Sequence, residues 1–255
     1  MAKIQTKWSV EEENNLRIYW PEKSRVELEN IFNRTYLSIK GKAKLLNIKK
    51  VDGFKFKKKI HKLLEDTNEK YYWLGFILAD GHFSKNLELK ITLSIKDDEH
   101  LIKLSNFLEY DNIKYNKSKQ FVYLSVRDSN TISLLKDMYS IDTNKTKNPC
   151  DISSINSKDK FMSFFIGFFD GDGCVLKNRK NIPNGIRIQI YNTWIHNLQV
   201  FSNRLNEYLD IDSRSYIDSQ GYARFVIFKK SSLKKIKEEA IRLRIPFLNR
   251  KLGTI

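Results

Sequence analysis

The 255-residue chain predicts an α+β fold in which one αββαββα unit occurs twice about a pseudo-twofold axis, behind a small three-helix domain. Three observations carry this. A nine-residue apolar run ending in Asp-Gly, Trp73 to Gly81 (WLGFILADG), returns at Phe165 to Gly173 (FIGFFDGDG). Each copy is followed by short period-two stretches alternating with longer helical ones. Residues 1–46 carry helical spacing alone. The resulting boundaries are 1–46 for the three-helix domain, 47–70 for a basic linker, and 71–149 and 150–255 for the two repeats.

In chain order, Ser9 with Glu12 forms a capping box, which starts a first helix whose opening turn holds Glu11, Glu12 and Glu13. Its apolar face is read as Trp8, Leu16 and Tyr19. Val26, Leu28 and Ile31 mark a second helix, and Ile39, Ala43 and Leu46 a third that carries Lys40, Lys42 and Lys44. Pro21 and the Asn33 to Thr35 turn separate them. Residues 1–60 hold 15 Lys plus Arg against 7 Asp plus Glu, a net of +8, and much of this excess lies in KKVDGFKFKKK, read as an extended basic arm.

After the first motif, Leu87, Leu89, Ile91, Leu93 and Ile95 alternate with polar residues, which makes residues 86–96 a half-exposed strand. A helix over Asp97 to Leu108, strands at Ile113 to Asn116 and Phe121 to Arg127, and a helix over Asn130 to Met138 complete the unit. The second half repeats the order 92 residues on, measured from Asp80 to Asp172. Its motif helix leads to strands at Cys174 to Lys177 and Ile186 to Tyr191, and to a helix over Thr193 to Leu209. Strands at Ser213 to Ile217 and Ala223 to Phe228 and a helix over Ser232 to Arg242 close it. Each sheet then presents one polar face, with Lys90, Thr92, Ser94, Lys96, Tyr123 and Arg127 on the first and Arg187, Gln189, Tyr191 and Arg224 on the second.

Gly75 and Ala79, like Gly167 and Gly171, lie four residues apart, a spacing that stacks small residues on one helix face. Two such faces can pack closer than the usual 8 to 10 Å, bringing Asp80 and Asp172 together at the helix ends. Both acids would face the negative end of a helix dipole as well as each other. A bound cation offsets both costs, and Mg²⁺ suits an all-oxygen site that expects phosphate oxygens.

A formal charge of +16 points to a polyanionic partner, nucleic acid or an anionic membrane surface. No apolar run approaches the roughly 20 residues of a spanning helix, which disfavours the membrane. Two cysteines, Cys150 and Cys174, and four histidines indicate neither a disulfide framework nor a zinc site, so the expected setting is intracellular, with Cys174 structural.

The two nine-residue stretches resemble the paired motifs of single-chain LAGLIDADG homing endonucleases, and the resemblance covers about residues 70–255. It implies the duplicated fold above, with Asp80 and Asp172 at the eighth, metal-binding position. Leu78 stands at the sixth position where the second copy has Asp170, so Asp170 is expected to be dispensable. The resemblance further implies a monomeric, Mg²⁺-dependent enzyme that cuts both strands of one long DNA site, leaves short 3′ overhangs and holds two or three divalent ions at the paired acids. A catalytic basic residue is implied near each acid. YSIDTNKTKNP offers Lys145, with Lys147 beside it, and LRIPFLNRKLG offers Lys251, with Arg250 as its rival. The strand faces would enter the major groove, Lys and Arg suiting guanine and phosphate and Gln suiting adenine.

Residues 1–46 resemble a SANT or Myb-like helix-turn-helix domain through Trp8-Ser9-x-Glu-Glu-Glu, Trp20 and the third helix SIKGKAKLLNI, which has Ile39 in place of a tryptophan. That resemblance implies DNA contacts by Arg34, Lys40, Lys42 and Lys44. The alternative reading keeps the scaffold without cleavage, as an intron RNA maturase or a DNA-binding regulator with vestigial acids.

Overall fold

The computed structural model describes residues 7–20, 23, 25–48 and 59–254, in two compact units that divide between residues 58 and 59. Pro21 and residues 49–58 of the expected arm lie outside the described residues.

The first unit contains α1 (Val10–Tyr19), α2 (Arg25–Phe32) and α3 (Tyr36–Leu45). Ser9 Oγ accepts from Glu12 N at 3.0 Å and Glu12 accepts from Ser9 N at 2.9 Å, so two of the backbone N–H groups that a helix start leaves without partners are satisfied. Thr35 caps α3 through its hydroxyl alone, which accepts from Ser38 N. Leu16, Trp20, Leu28, Phe32, Ile39 and Ala43 form the core. Two assignments change. Val26 and Ile31 are exposed, because Leu28 and Phe32, one turn apart, set the buried face of α2 and Val26 lies half a turn from it. Trp8 precedes α1 and packs on Phe32 from outside the helix, ring centroids 5.6 Å apart.

The second unit begins earlier than the linker boundary at residue 70. Ile60 and Leu63, in a short 3-10 turn (Ile60–Leu64), are fully buried in the main core, and Lys59 N donates to Leu108 O. The first repeat follows as α4 (Asn68–Asp80), β1 (Gly81–Phe83), β2 (Glu88–Ser94), α5 (Asp98–Phe107), β3 (Ile113–Asn116), β4 (Phe121–Arg127) and α6 (Ser129–Tyr139). The second is α7 (Lys158–Asp172), β5 (Gly173–Lys177), β6 (Pro183–Tyr191), α8 (Ile195–Leu209), β7 (Ser213–Ile217), β8 (Tyr222–Ile227) and α9 (Lys230–Arg242). The antiparallel sheets have equivalent orders, β1-β2-β4-β3 and β5-β6-β8-β7, as expected of a duplicated αββαββα unit.

Leu89, Ile91 and Leu93 of β2 point into the core together with Val122, Leu124 and Val126 of β4, while the alternating residues face outward. β2 starts at Glu88 because Leu87 sits at φ 53° in the preceding turn, where Ser84 N donates to Glu88 O. A side chain in that left-handed region cannot continue the pleat. β1 is only three residues long, too short to display a period.

Helices α4 and α7 form the centre of the unit. A Cβ built on Gly75 would lie 2.1 Å from Phe164 O, and one on Gly167 would lie 1.9 Å from Tyr72 O. At Gly171 it would meet the Ala79 methyl at 2.3 Å and Asp80 N at 3.4 Å. The backbones therefore touch along the small-residue face, and both helices are otherwise buried by large apolar side chains.

Gly167→Ala is expected to cost about 3 kcal/mol, since the added methyl must displace backbone rather than a flexible side chain. Thermal unfolding would show this as a fall of roughly 6 to 12 °C. Gly41→Ala in α3, where a Cβ meets nothing within 4 Å, should be neutral or stabilising. Equal melting shifts for the two variants would refute the steric account.

Candidate active site

The two backbones that touch through Gly75, Gly167 and Gly171 end at the residues with chemical potential. Asp80 is the last residue of α4 and Asp172 the last of α7, and each is followed by a glycine that enters the first strand of its sheet. Gly81 and Gly173 have extended φ of −78° and −83°, so conformational freedom is not what they supply. They supply space: a Cβ would strike Ile77 O at 2.5 Å in one and the Phe169 ring at 2.1 Å in the other.

Asp80 remains exposed, yet enough protein surrounds it that desolvation, followed by repulsion from Asp172, raises its pKa to about 6. Desolvation also raises Asp172, against the pull of Lys145 and Lys251.

Both of these lysines sit at the same ends. Lys145 Nζ donates to Leu78 O at 2.5 Å and Ala79 O at 2.6 Å, the final carbonyls of α4. Lys251 Nζ donates to Phe169 O at 3.0 Å, Asp170 O at 2.5 Å and Gly171 O at 3.0 Å, the final carbonyls of α7. Each ammonium thus satisfies the carbonyls that a helix end leaves free and offsets its negative pole. Burial holds both below the ordinary lysine range, and Asp172 and Asp80 oppose that shift at Lys145. Arg250, the rival of Lys251, turns instead to Asp97 in a two-point pair at 2.6 and 2.8 Å. Lys147 is exposed.

Among the described residues no three His, Cys, Asp or Glu side chains gather in one place. Two carboxylates whose charges repel fit a hard divalent cation that completes its shell with water and phosphate oxygen.

The predicted contact residues divide. On the first sheet Lys90, Thr92 and Ser94 are exposed, Lys90 Nζ lies 4.6 Å from the centre of the half-buried Tyr123 ring, and Lys96, expected on the same strand, is exposed beyond its end in a 3-10 turn (Ile95–Asp97). Arg127 pairs with Glu88 at 3.0 Å at the sheet end. On the second, Gln189 and Tyr191 are exposed opposite Arg224 and Tyr222, and Arg224 pairs with Asp218 at 2.5 Å. Arg187 is half-buried opposite Cys174 with its Nε lacking a hydrogen-bond partner. Cys174 is exposed on this outer face. In the first unit Lys40 and Lys44 are exposed. Arg34 is not an outward contact: its guanidinium lies 4.5 Å over the Trp8 ring and donates to Glu12 at 2.9 and 3.0 Å. Lys42 pairs with Glu13.

Sequence reasoning missed three outward neighbours, His82 opposite Lys90, Lys114 opposite Tyr123 and Tyr216 opposite Arg224. Strand register would have found them. It also took Asp170 as dispensable, whereas Asp170 is wholly buried and accepts hydrogen bonds from Tyr72 Oη and Leu248 N, both at 2.8 Å.

Residues 159–240, which run from α7 into α9, match the family described as LAGLIDADG-like domain. A comparison with curated protein sequences finds no match. Among solved structures the chain is similar to I-SmaMI bound to an uncleaved DNA target in the presence of calcium ions, with TM-score 0.50 and 15% identity over 70% of this chain and 86% of that one. It is likewise similar to the meganuclease I-SmaMI bound to uncleaveable DNA with a TTCT central four, with TM-score 0.50 and 16% identity over 72% and 86% of the two chains. The shared feature is the fold, a mixed α+β arrangement of two four-stranded antiparallel sheets that matches the LAGLIDADG fold. Among the described residues no helix is long and apolar enough to cross a membrane.

The raised pKa at Asp80 sets the sign of a pH effect. An unfolded aspartate titrates near 3.8 and folded Asp80 at about 6, so the folded state binds the proton more tightly and loses relative stability as pH rises between these values. With divalent ions chelated, Asp80→Asn should melt above the wild type at about pH 7.5 and level with it below about pH 4. A gap of the same size at both pH values would refute the charge penalty at Asp80, to which desolvation contributes most and Asp172 next.

Proposed function

We propose that the chain is a site-specific endonuclease that hydrolyses both strands of duplex DNA with divalent ions held by Asp80 and Asp172. The observation that carries this reading is the junction of α4 and α7, where two carboxylates with raised pKa values end two helices in backbone contact. A structure without catalytic use for them would gain stability by replacing either one. The I-SmaMI structures hold DNA on the same fold, which supports DNA as the partner of the two outward sheet faces.

Within this reading Asp80 and Asp172 supply oxygen ligands from opposite repeats, and Mg²⁺ fits them by charge and hardness. Bound divalent ions would contribute activation of water and stabilisation of a leaving oxygen on each strand. Lys145 and Lys251 keep the two helix ends electrically tolerable and add positive charge beside the scissile phosphates. Lys90, Thr92 and Ser94 of one sheet, Lys96 in the turn that follows, and Gln189 and Tyr191 of the other sheet would face the major groove, the lysines on guanine or phosphate and Gln189 on adenine. Lys40 and Lys44 on α3 would extend the contacted site. A protein of this kind acts as a monomer and leaves short 3′ overhangs.

One observation favours a second reading, a binding protein on this scaffold directed to DNA or intron RNA. Both lysine ammonium groups are occupied by helix-end carbonyls.

Cleavage of a randomised duplex library with Mg²⁺ separates the two. The nuclease reading expects metal-dependent cutting at one sequence, lost on the order of 10³-fold or more in Asp80→Asn or Asp172→Asn while DNA affinity persists. Tight, selective binding without cutting would transfer the assignment to the second reading. Independently, Lys40→Ala with Lys44→Ala should weaken binding and lower the slope of log affinity against log salt by about 2. An unchanged slope would remove α3 from the contact surface.

A further inference from the structure

Asp170 lies at the centre of a closed ring of hydrogen bonds. Its Oδ2 accepts from Leu248 N at 2.8 Å; Leu248 O in turn accepts from Lys251 N at 3.0 Å; and Lys251 Nζ returns to Asp170 O at 2.5 Å. The same Oδ2 accepts from Tyr72 Oη at 2.8 Å, and that hydroxyl lies 2.8 Å from His100 Nε2 on α5. Because the tyrosine proton goes to Asp170, His100 must donate from Nε2. His100 is buried among Tyr72, Trp73 and Phe76. The chain His100, Tyr72, Asp170, Leu248 therefore runs from the first repeat, across the α4 and α7 contact, to the loop that presents Lys251.

No such ring exists at the other helix end. Leu78 occupies the position of Asp170 in α4, and Phe164 that of Tyr72 in α7. The loop of Lys145 is instead held from outside: Trp194 Nε1 donates to Lys145 O at 3.1 Å and Thr193 Oγ1 to Thr146 O at 2.7 Å. Trp194 and Asp97 end equivalent 3-10 turns, Asn192–Trp194 and Ile95–Asp97, and Asp97 accepts from Arg250 beside Lys251. One clamp is thus common to both halves, and the buried carboxylate is an addition to one.

We infer that Asp170 is a positioning residue for Lys251 alone, so that the two halves of the site depend on different supports and fail separately. This rests on the nuclease reading, in which each half serves one DNA strand. Removing the ring would leave Lys145 in place and free the 245–252 loop, and misplacement of about 1 Å in such a group costs up to about a hundredfold in rate.

The experiment uses a supercoiled plasmid carrying the cleavage site, with strand-specific end labels. Asp170→Leu, which installs the residue of the other half and removes the acceptor, and Tyr72→Phe should accumulate nicked circles, with the rate on one strand reduced about tenfold or more. The strand left intact should be the one left by Lys251→Met and not the one left by Lys145→Met. A general loss of folding would slow both strands together, and that result, or protection of the Lys145 strand, overturns the inference. Should the wild type cut no DNA, the nuclease reading fails by itself, and amide exchange decides the ring. In Asp170→Leu, which leaves Leu248 N without its acceptor, the Leu248 and Lys251 amides should exchange about tenfold faster or more, while the Lys147 and Asn148 amides, bonded to Asn144 O, stay as in the wild type. Unchanged exchange at Leu248 would overturn it.

Discussion

Contact between two helix backbones governs the rest of this structure. Where Gly75 and Gly167 face carbonyl oxygens of the opposite helix no side chain fits, and at Gly171 the side-chain atom that the junction holds nearest is the Ala79 methyl. Interiors pack near crystal density, so helices this close have few alternative registers. The register then dictates which residues end side by side. Asp80 and Asp172 are adjacent because Gly171 lies against Ala79 and the Asp80 amide.

That adjacency creates an electrostatic problem with a divided answer. Two carboxylates and the negative poles of two helices converge, and each pole is met by a lysine from the segment that closes its own repeat. The lysines bond to carbonyls, and their charge reaches the acids through space, lowering the Asp172 pKa against the rise caused by burial. In the proposed nuclease reading, a polyanion cut at this point would bring its own negative charge, and bound divalent ions would offset all three. The positive surface needed to hold it lies on exposed strand residues whose partners on the inner face fill the core.

Duplication did not produce equal halves. The second repeat fills its core with Phe161, Phe164, Phe165, Phe168, Phe201 and Phe225, while the first packs His100 between Trp73 and Phe76 and connects it to Asp170 through Tyr72. A buried carboxylate with one oxygen lacking a partner is costly, and its retention beside an apolar alternative in the other half marks a specific demand there.

Much of this was legible in residue spacing. The repeated motif, the small residues at every fourth position and the period-two strands determined the duplicated αββαββα order and the identity of the two acids, because each is a local rule that survives in a linear chain. Val26 and Ile31 were misplaced since helical spacing alone does not say which of two apolar stripes a three-helix bundle will bury. β1 escaped because three residues cannot show a period. Where Lys251 and its rival Arg250 turn was not legible, because the arginine's partner Asp97 is 153 residues away. Arg34 and Lys42 read as free cations until Glu12 and Glu13 were placed beside them. Asp170 looked optional because motif comparison sees only the helix and not Leu248, 78 residues on, whose amide it holds. The sequence by itself determined the order of the longer elements and, in the two repeats, which face of each strand is apolar. Which charges neutralise one another, and which of the equivalent positions became a hub, was decided only when packing brought distant segments within hydrogen-bonding distance.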